Sequence, residues 1–351
     1  MARDYTWPGI LGSLVDGNDL SISEAEWAMQ SVMAGEATAA QLGGLLVALR
    51  MKGETVDEIV GFRDAVLANA QPLDVEPMVL DIVGTGGDPY GAVFNISSVA
   101  SVVAAAAGVP VVKHGNRGAS SASGASDVLS ALGLNLDITP ERVAEVLAET
   151  GITFAFAALF HPGFRHAGPT RKELGISTLF NILGPLCNPA RPEASAVGVA
   201  SLERVQLIVG VFRTRGATAL VYRGDDGIDK LTTTGHSHIW EVSRGFVTEH
   251  DLDPVDLGIA RADIQSLLGS DPAHNAAVAR GVLEGEPGPV RDIVLLNAAA
   301  GLTAFELALN PKQLQQPILG RLAAQLERAT AAIDSGLAAQ KLDDWIAATN
   351  R

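Results

Sequence analysis

Apolar positions recur at helical spacing through residues 22–33, 42–51 and 59–67, so residues 1–70 read as helices only. Start signals agree: Ser21 with Glu24, Ser23 with Glu26 and Thr55 with Glu58 each fit a capping box. The segment 71–77, QPLDVEP, breaks the pattern. From Val79 the period changes to short apolar runs separated by helical stretches. Strands are predicted at 79–83, 109–112, 152–156, 196–199 and 219–221. Helices are predicted at 97–107, 126–132, 140–150 and 202–215. Residues 238–242 and 246–248 read as a hairpin around Arg244-Gly245, and 275–283, 290–309 and 313–336 as closing helices.

Alternation of apolar strands and helices argues for a mostly parallel sheet covered on both faces. The predicted fold class is therefore α/β, with a small all-helical domain over residues 1–72 and a larger α/β domain over 78–351. Ligands of such sheets bind at the carboxyl ends of strands. Gly84 and Lys113 each follow a predicted strand directly and fall on that edge.

Composition narrows the picture. The 351 residues are 47% hydrophobic and 19% charged, enough for a substantial core. A net charge of −15 disfavours nucleic acid and anionic membrane as partners. Between Gly108 and Asp127 the only fully charged side chains are Lys113 and Arg117, a local positive site suited to a small anion. Cys187 is the only cysteine, and no signal-peptide pattern opens the chain, so a cytoplasmic setting is expected. The apolar run 99–112 is too short to span a bilayer.

The candidate chemistry is concentrated between residues 81 and 128. Gly84, Gly86 and Gly87 let the backbone approach a ligand closely. Asn95, Ile96, Ser97 and Ser98 open a helix whose free N–H groups suit phosphate. KHGNRGASS at 113–121 adds a cationic and hydroxyl cluster, which costs stability unless an anion completes it. GTGGD is not a dinucleotide fingerprint, because Pro89 stands where that pattern needs glycine. Around Phe160–His166 and Arg171-Lys172 lies a second basic patch. It reads equally as recognition of an aromatic acid and as a solvated helix start. The 178–186 stretch is a hinge-like turn, and GDDGIDK at 224–230 places carboxylates at a strand end, as Mg²⁺ sites or as turn caps. His236 and His238 share one strand face, as ligands of a softer metal or as exposed side chains. Neither a Ser/His/Asp triad nor a cysteine nucleophile is evident.

Taken together, GTGGD, NISS, KHGNRGASS, Arg171, FNILGPLCNP and GIDKLTT resemble the anthranilate phosphoribosyltransferase family of tryptophan biosynthesis, from about residue 10 to the C-terminus. The resemblance implies a helical domain, joined by helices from about 168–190, beside a nucleoside-phosphorylase-like α/β domain, and a homodimer through the helices. It implies an enzyme that transfers phosphoribose from phosphoribosyl pyrophosphate (PRPP) to anthranilate with Mg²⁺. PRPP would be bound by Gly84, Gly87, Asp88, Val93, Asn95, Ile96, Ser97, Ser98, Lys113, His114, Gly115, Asn116, Arg117, Gly118, Ala119, Ser120, Ser121 and Ala125. Gly84, Asn116, Arg171, Gly184 and Pro185 would face anthranilate. Ser97 and Asp229 would hold metal. Because an aromatic amine is largely neutral at pH 7, positioning suffices and no general base is implied.

Four departures from the family pattern stand out. Lys230 occupies the second position of an Asp-Glu metal pair. Pro89 stands where glycine usually follows GTGGD, and the segment 90–93 is one residue longer. A threonine before Asn95 is lost to Ala92 or Val93, and Ala158 replaces a proline beside the anthranilate channel. The alternative reading is a paralogue with altered metal dependence and another acceptor, or a ligand-binding protein without this catalysis.

Overall fold

A computed structural model describes residues 5–118 and 123–351. Four helices come first: α1 (Trp7–Val15), α2 (Ile22–Ala34), α3 (Ala39–Lys52) and α4 (Val56–Ala68). Ser21 caps α2 with Glu24, and Thr55 caps α4 with Glu58, as expected. Ser23 and Glu26 do not form a box, because Ser23 already lies inside α2. The third box is instead Thr38 with Gln41 at the start of α3. Glu58 is fully buried and ties three segments together: its carboxylate accepts from Leu20 N (2.9 Å), Thr55 N (2.8 Å) and Lys52 Nζ (3.1 Å).

The remaining chain builds a seven-stranded sheet from β1 (Leu80–Gly84), β2 (Val111–Gly115), β3 (Ile152–Phe156), β4 (Ala194–Gly198), β5 (Thr218–Gly224), β6 (Ser237–Ser243) and β7 (Phe246–Leu252). The strand order is β3-β2-β1-β4-β5-β6-β7. The first five strands in sequence pair in parallel, and β6 and β7 continue antiparallel as the predicted hairpin. The period of two along each strand decides which layer each side chain joins. Leu80, Ile82, Ala194 and Ala196 face a core shared with α5 (Ile96–Ala106) and the helix Pro289–Leu309. Val83, Val197, Ala219 and Val221 face the opposite way, into a core shared with α2, α3, α4, the helix Leu202–Arg215 and residues 179–187. Each fully buried valine, leucine or isoleucine in these layers contributes about 1.5–3 kcal/mol.

Sequence reading placed the end of the second strand three residues too early. β2 runs through Lys113, His114 and Gly115, so the first two cationic candidates lie within the sheet rather than after it. Helix 313–336 breaks at Pro317 into a 3-10 turn, Pro311–Gln315, and a helix, Ile318–Asp334. A last helix, Leu337–Thr349, was missed, although Ala338, Leu342, Trp345 and Thr349 are buried at helical spacing. Pro289–Leu309 is long and apolar enough to cross a membrane, but most of it is buried in the core.

Candidate functional site

The carboxyl ends of β1 and β2 open onto a cavity of about 320 Å³. Every described residue expected to bind PRPP, anthranilate or metal lines it, from Gly84 through Lys113 and Arg171 to Lys230. Ala119, Ser120 and Ser121 fall outside the described residues.

The floor is made by opposite faces of one strand. Lys113 is 1% exposed and points toward α5, where Nζ donates to Ile82 O (2.8 Å) and lies 3.4 Å from Ser97 Oγ. Burial pushes its pKa down to about 8, against the nearby charges of Asp81 and Asp229, and the Lys230 charge pushes the same way as burial. Asp81 lies beneath it. Its carboxylate accepts from His114 N (3.2 Å) and Asn188 Nδ2 (2.9 Å), yet burial outweighs these and Lys113 and raises its pKa to about 6.

His114 points to the other side of β2. Its Nδ1 bonds Gly184 O at 2.9 Å, which fixes the Gly184-Pro185 turn against the strand. Since a carbonyl can only accept, Nδ1 carries the proton and Nε2 is left an acceptor. Burial and the neighbouring His161 hold the pKa of His114 at about 3, so the ring is neutral. Nε2 of His114 and Oγ of Ser98 are buried without a partner among the described residues. Both belong to residues on the cavity wall.

Asn95 caps α5 without a side-chain bond to the helix. Its amide donates to Ser123 O (3.0 Å) and accepts from Asn275 Nδ2 (2.9 Å) instead. The first-turn N–H groups of α5 therefore receive no side-chain cap from Asn95. Asn275 lies 180 residues away, and nothing in its local sequence signals this role.

Opposite this polar end is an aromatic one. The Arg171 guanidinium lies 4.9 Å from the Phe180 ring centroid, and Phe164 meets Phe180 edge-on at 5.8 Å. Burial pulls the Arg171 pKa down from its ordinary value. Phe164 belongs to the stretch read either as recognition of an aromatic acid or as a solvated helix start, whereas Phe180 belongs to the 178–186 stretch read as a hinge-like turn. Arg165, His166 and Ala158 do not line the cavity, whereas Ala157 does.

Asp229 and Lys230 close the site from the loop after β5. Asp229 Oδ2 accepts from Gly86 N (2.7 Å), and Lys230 Nζ donates to Asp229 Oδ1 (2.6 Å). Gly84 and Gly198, paired across β1 and β4, permit this approach. A Cβ on Gly84 would collide with Asp229 Oδ2, and one on Gly198 would collide with the Asp229 carbonyl oxygen. By contrast, Asp226 serves the turn. It accepts from Thr232 Oγ1, Thr234 Oγ1 and Ile228 N. His238 pairs with Asp225 and Asp251, and His236 with Asp253, with both histidines at exposed positions. No group of three or more metal-ligating side chains occurs among the described residues.

Comparison with known proteins adds independent information. Residues 8–70 match the helical bundle domain of the glycosyl transferase family, and residues 76–339 match its a/b domain. The chain is 75% identical over 344 residues to an anthranilate phosphoribosyltransferase of Clavibacter michiganensis subsp. michiganensis, covering 98% of each. It is 66% identical over 349 residues to that of Leifsonia xyli subsp. xyli, covering 99% of this chain and 100% of the relative. The crystal structure of the Thermus thermophilus enzyme of that name superposes with a TM-score of 0.88 at 40% identity, covering 97% of this chain and 99% of the other. The Saccharomyces cerevisiae enzyme in complex with PRPP and Mg shares the fold, with a TM-score of 0.87 at 24% identity and 99% coverage of both chains.

Proposed function

The chain belongs to the anthranilate phosphoribosyltransferases of the glycosyl transferase family, and from that membership we infer how its own residues divide the work. The activity is transfer of phosphoribose from PRPP to anthranilate in tryptophan biosynthesis. One observation carries the assignment of residues: a single cavity has a cationic, donor-rich end at Lys113 and α5 and an aromatic, guanidinium-bearing end at Arg171 and Phe180.

In this reading the diphosphate of PRPP lies against the Gly84–Asp88 turn, the start of α5 and Lys113, with Asn116, Arg117 and Gly118 along its flank. Ser98 Oγ supplies a hydroxyl that has no partner among the described residues. Anthranilate lies toward Arg171, which meets its carboxylate, while Phe164, Phe180 and the Gly184-Pro185 turn flank the ring. Departure of diphosphate builds negative charge beside Lys113, whose ammonium is already fixed and desolvated, so little reorganisation is needed. Neutral His114 holds the turn that lines the acceptor's place, consistent with catalysis by positioning.

One Mg²⁺ is assigned to Ser97 and Asp229, both of which line the cavity. Ser97 Oγ and the Asp229 carboxylate would hold it together with substrate phosphate, and when bound it would offset the diphosphate charge. A second position does not fit, because Lys230 Nζ stands there as a built-in cation on Asp229. Division of the chain near residues 72–78, return of 168–190 to the helical bundle, a homodimer through that bundle and a cytoplasmic setting belong to the same proposal. Exposed Val15 and Met51 on the bundle suit such a contact.

Incubation with PRPP, Mg²⁺ and anthranilate, followed by loss of anthranilate fluorescence, tests the assignment. Turnover that is lost in Lys113→Met and in Arg171→Ala is expected. Full turnover in both variants would place the substrates elsewhere.

A further inference from the structure

A second cavity, of about 270 Å³, shares no described lining residue with the first. It is lined by Arg63, Asp64 and Leu67 of α4, by Arg191 just before β4, and by Arg215 at the end of Leu202–Arg215. Three guanidinium groups and one carboxylate face one space, three positive charges against one negative, for a net of +2. Glu193 also acts on Arg215, but it is exposed.

The internal partners do not satisfy this cluster. Arg63 is 7% exposed. Its Nε and Nη2 both bond a single oxygen, Asp64 Oδ1, at 2.9 and 2.6 Å. Its Nη1 is buried and meets no acceptor among the described residues. Arg215 Nη2 reaches the Pro192 carbonyl, at 3.2 Å. Arg191 is held with φ at 48°, in the left-handed region, one of two such non-glycine residues among those described. Non-glycine residues in that region often mark functional positions. Like charges crowd together here, and burial together with Arg63 and Arg191 pulls the pKa of Arg215 down.

We propose that this cavity binds a phosphate-class dianion. A buried guanidinium edge without an acceptor is costly, and guanidinium forks match tetrahedral oxyanions. A dianion would neutralise the net charge and join the helical bundle to the entrance of β4. Nothing in the transfer reaction uses these residues, so the site is separate from the substrate cavity.

Inorganic phosphate is the probe, titrated calorimetrically at constant ionic strength. Lys113→Gln is the background, which weakens anion binding in the substrate cavity. Phosphate is expected to bind Lys113→Gln and to raise its Tm. Adding Arg191→Gln and Arg215→Gln should weaken that binding at least tenfold and remove the Tm shift. In otherwise unaltered protein the two arginine substitutions should leave the transfer rate at saturating substrates unchanged. They should also leave the phosphate-free Tm equal or higher, because repulsion is relieved. If the double substitution does not fold, Arg191→Gln alone, at an exposed position, reads the same loss. Undiminished phosphate binding in the arginine variants would overturn the proposal, as would its absence from Lys113→Gln. Succinate is the carboxylate control, and tighter arginine-dependent binding of succinate than of phosphate would overturn the phosphate assignment.

Discussion

Lys230 Nζ lies 2.6 Å from Asp229 Oδ1 and 2.9 Å from the Asp229 carbonyl oxygen, which places an ammonium ion on the carboxylate that closes the substrate cavity. Both side chains are largely buried, at 9% and 6% exposure. The other carboxylate oxygen is taken by Gly86 N. The loop that would cradle diphosphate is thereby tied to a positive charge supplied by the chain itself. Removing one partner of such a pair leaves the other buried and uncompensated.

The backbone approach that permits this pair separates two glycine substitutions. In Gly84→Ala the new methyl meets the end of the Asp229 side chain, which can swing aside. The protein should lose less stability than Gly198→Ala, but it should lose PRPP affinity. In Gly198→Ala the methyl meets the Asp229 backbone carbonyl, which cannot move without the strand end. About 1–3 kcal/mol of stability should be lost. Denaturant unfolding and PRPP calorimetry on the two variants check this contrast.

Arg171→Ala should raise KM for anthranilate about 10–100-fold, the scale of a lost charge-assisted contact, and leave PRPP binding within about twofold. Phe180→Leu removes the ring beneath the guanidinium and should move the same parameter in the same direction by less. Steady-state kinetics with each substrate varied in turn separates the two effects.

Asp81 makes a pH-dependent contribution to stability. Burial raises its folded pKa to about 6 from the ordinary 3.8, so the native state holds the proton more tightly than the unfolded chain. Its stabilising contribution is complete below about pH 4 and is lost as pH rises through about 6, amounting to ~1–3 kcal/mol. The difference in unfolding free energy between the protein and Asp81→Asn should therefore shrink across that window. A flat difference would show that the carboxyl is not desolvated as the fold implies.

Much of this site is legible in the sequence. The glycines at 84–87, the helix start at 95–98 and the cluster at 113–118 lie close in sequence, and a parallel sheet brings successive strand ends to one edge. Local chemistry alone could not place Lys113 and His114 inside β2. A lysine and a histidine are poor candidates for a buried strand until Ile82 O, Ser97 and Gly184 O are known to receive them. The same limit hid Asn275, which reaches Asn95 only through the packing of Pro272–Leu283 against α5. Phe180 looked like part of a hinge because nothing local says that Arg171 folds over its ring. The last helix was a different kind of miss, since its apolar spacing was present and went unread.

The Mg²⁺ dependence of the initial rate, measured for the protein and for Lys230→Glu, tests the role given to Lys230 most directly. The protein is expected to follow a single saturable phase, because Lys230 already supplies the second cation. Lys230→Glu places a carboxylate beside Asp229 without a counter-charge. It should fall below the parent at low Mg²⁺, show a second phase at higher Mg²⁺, and exceed the parent at saturation. Superimposable Mg²⁺ curves for the two proteins would contradict the account.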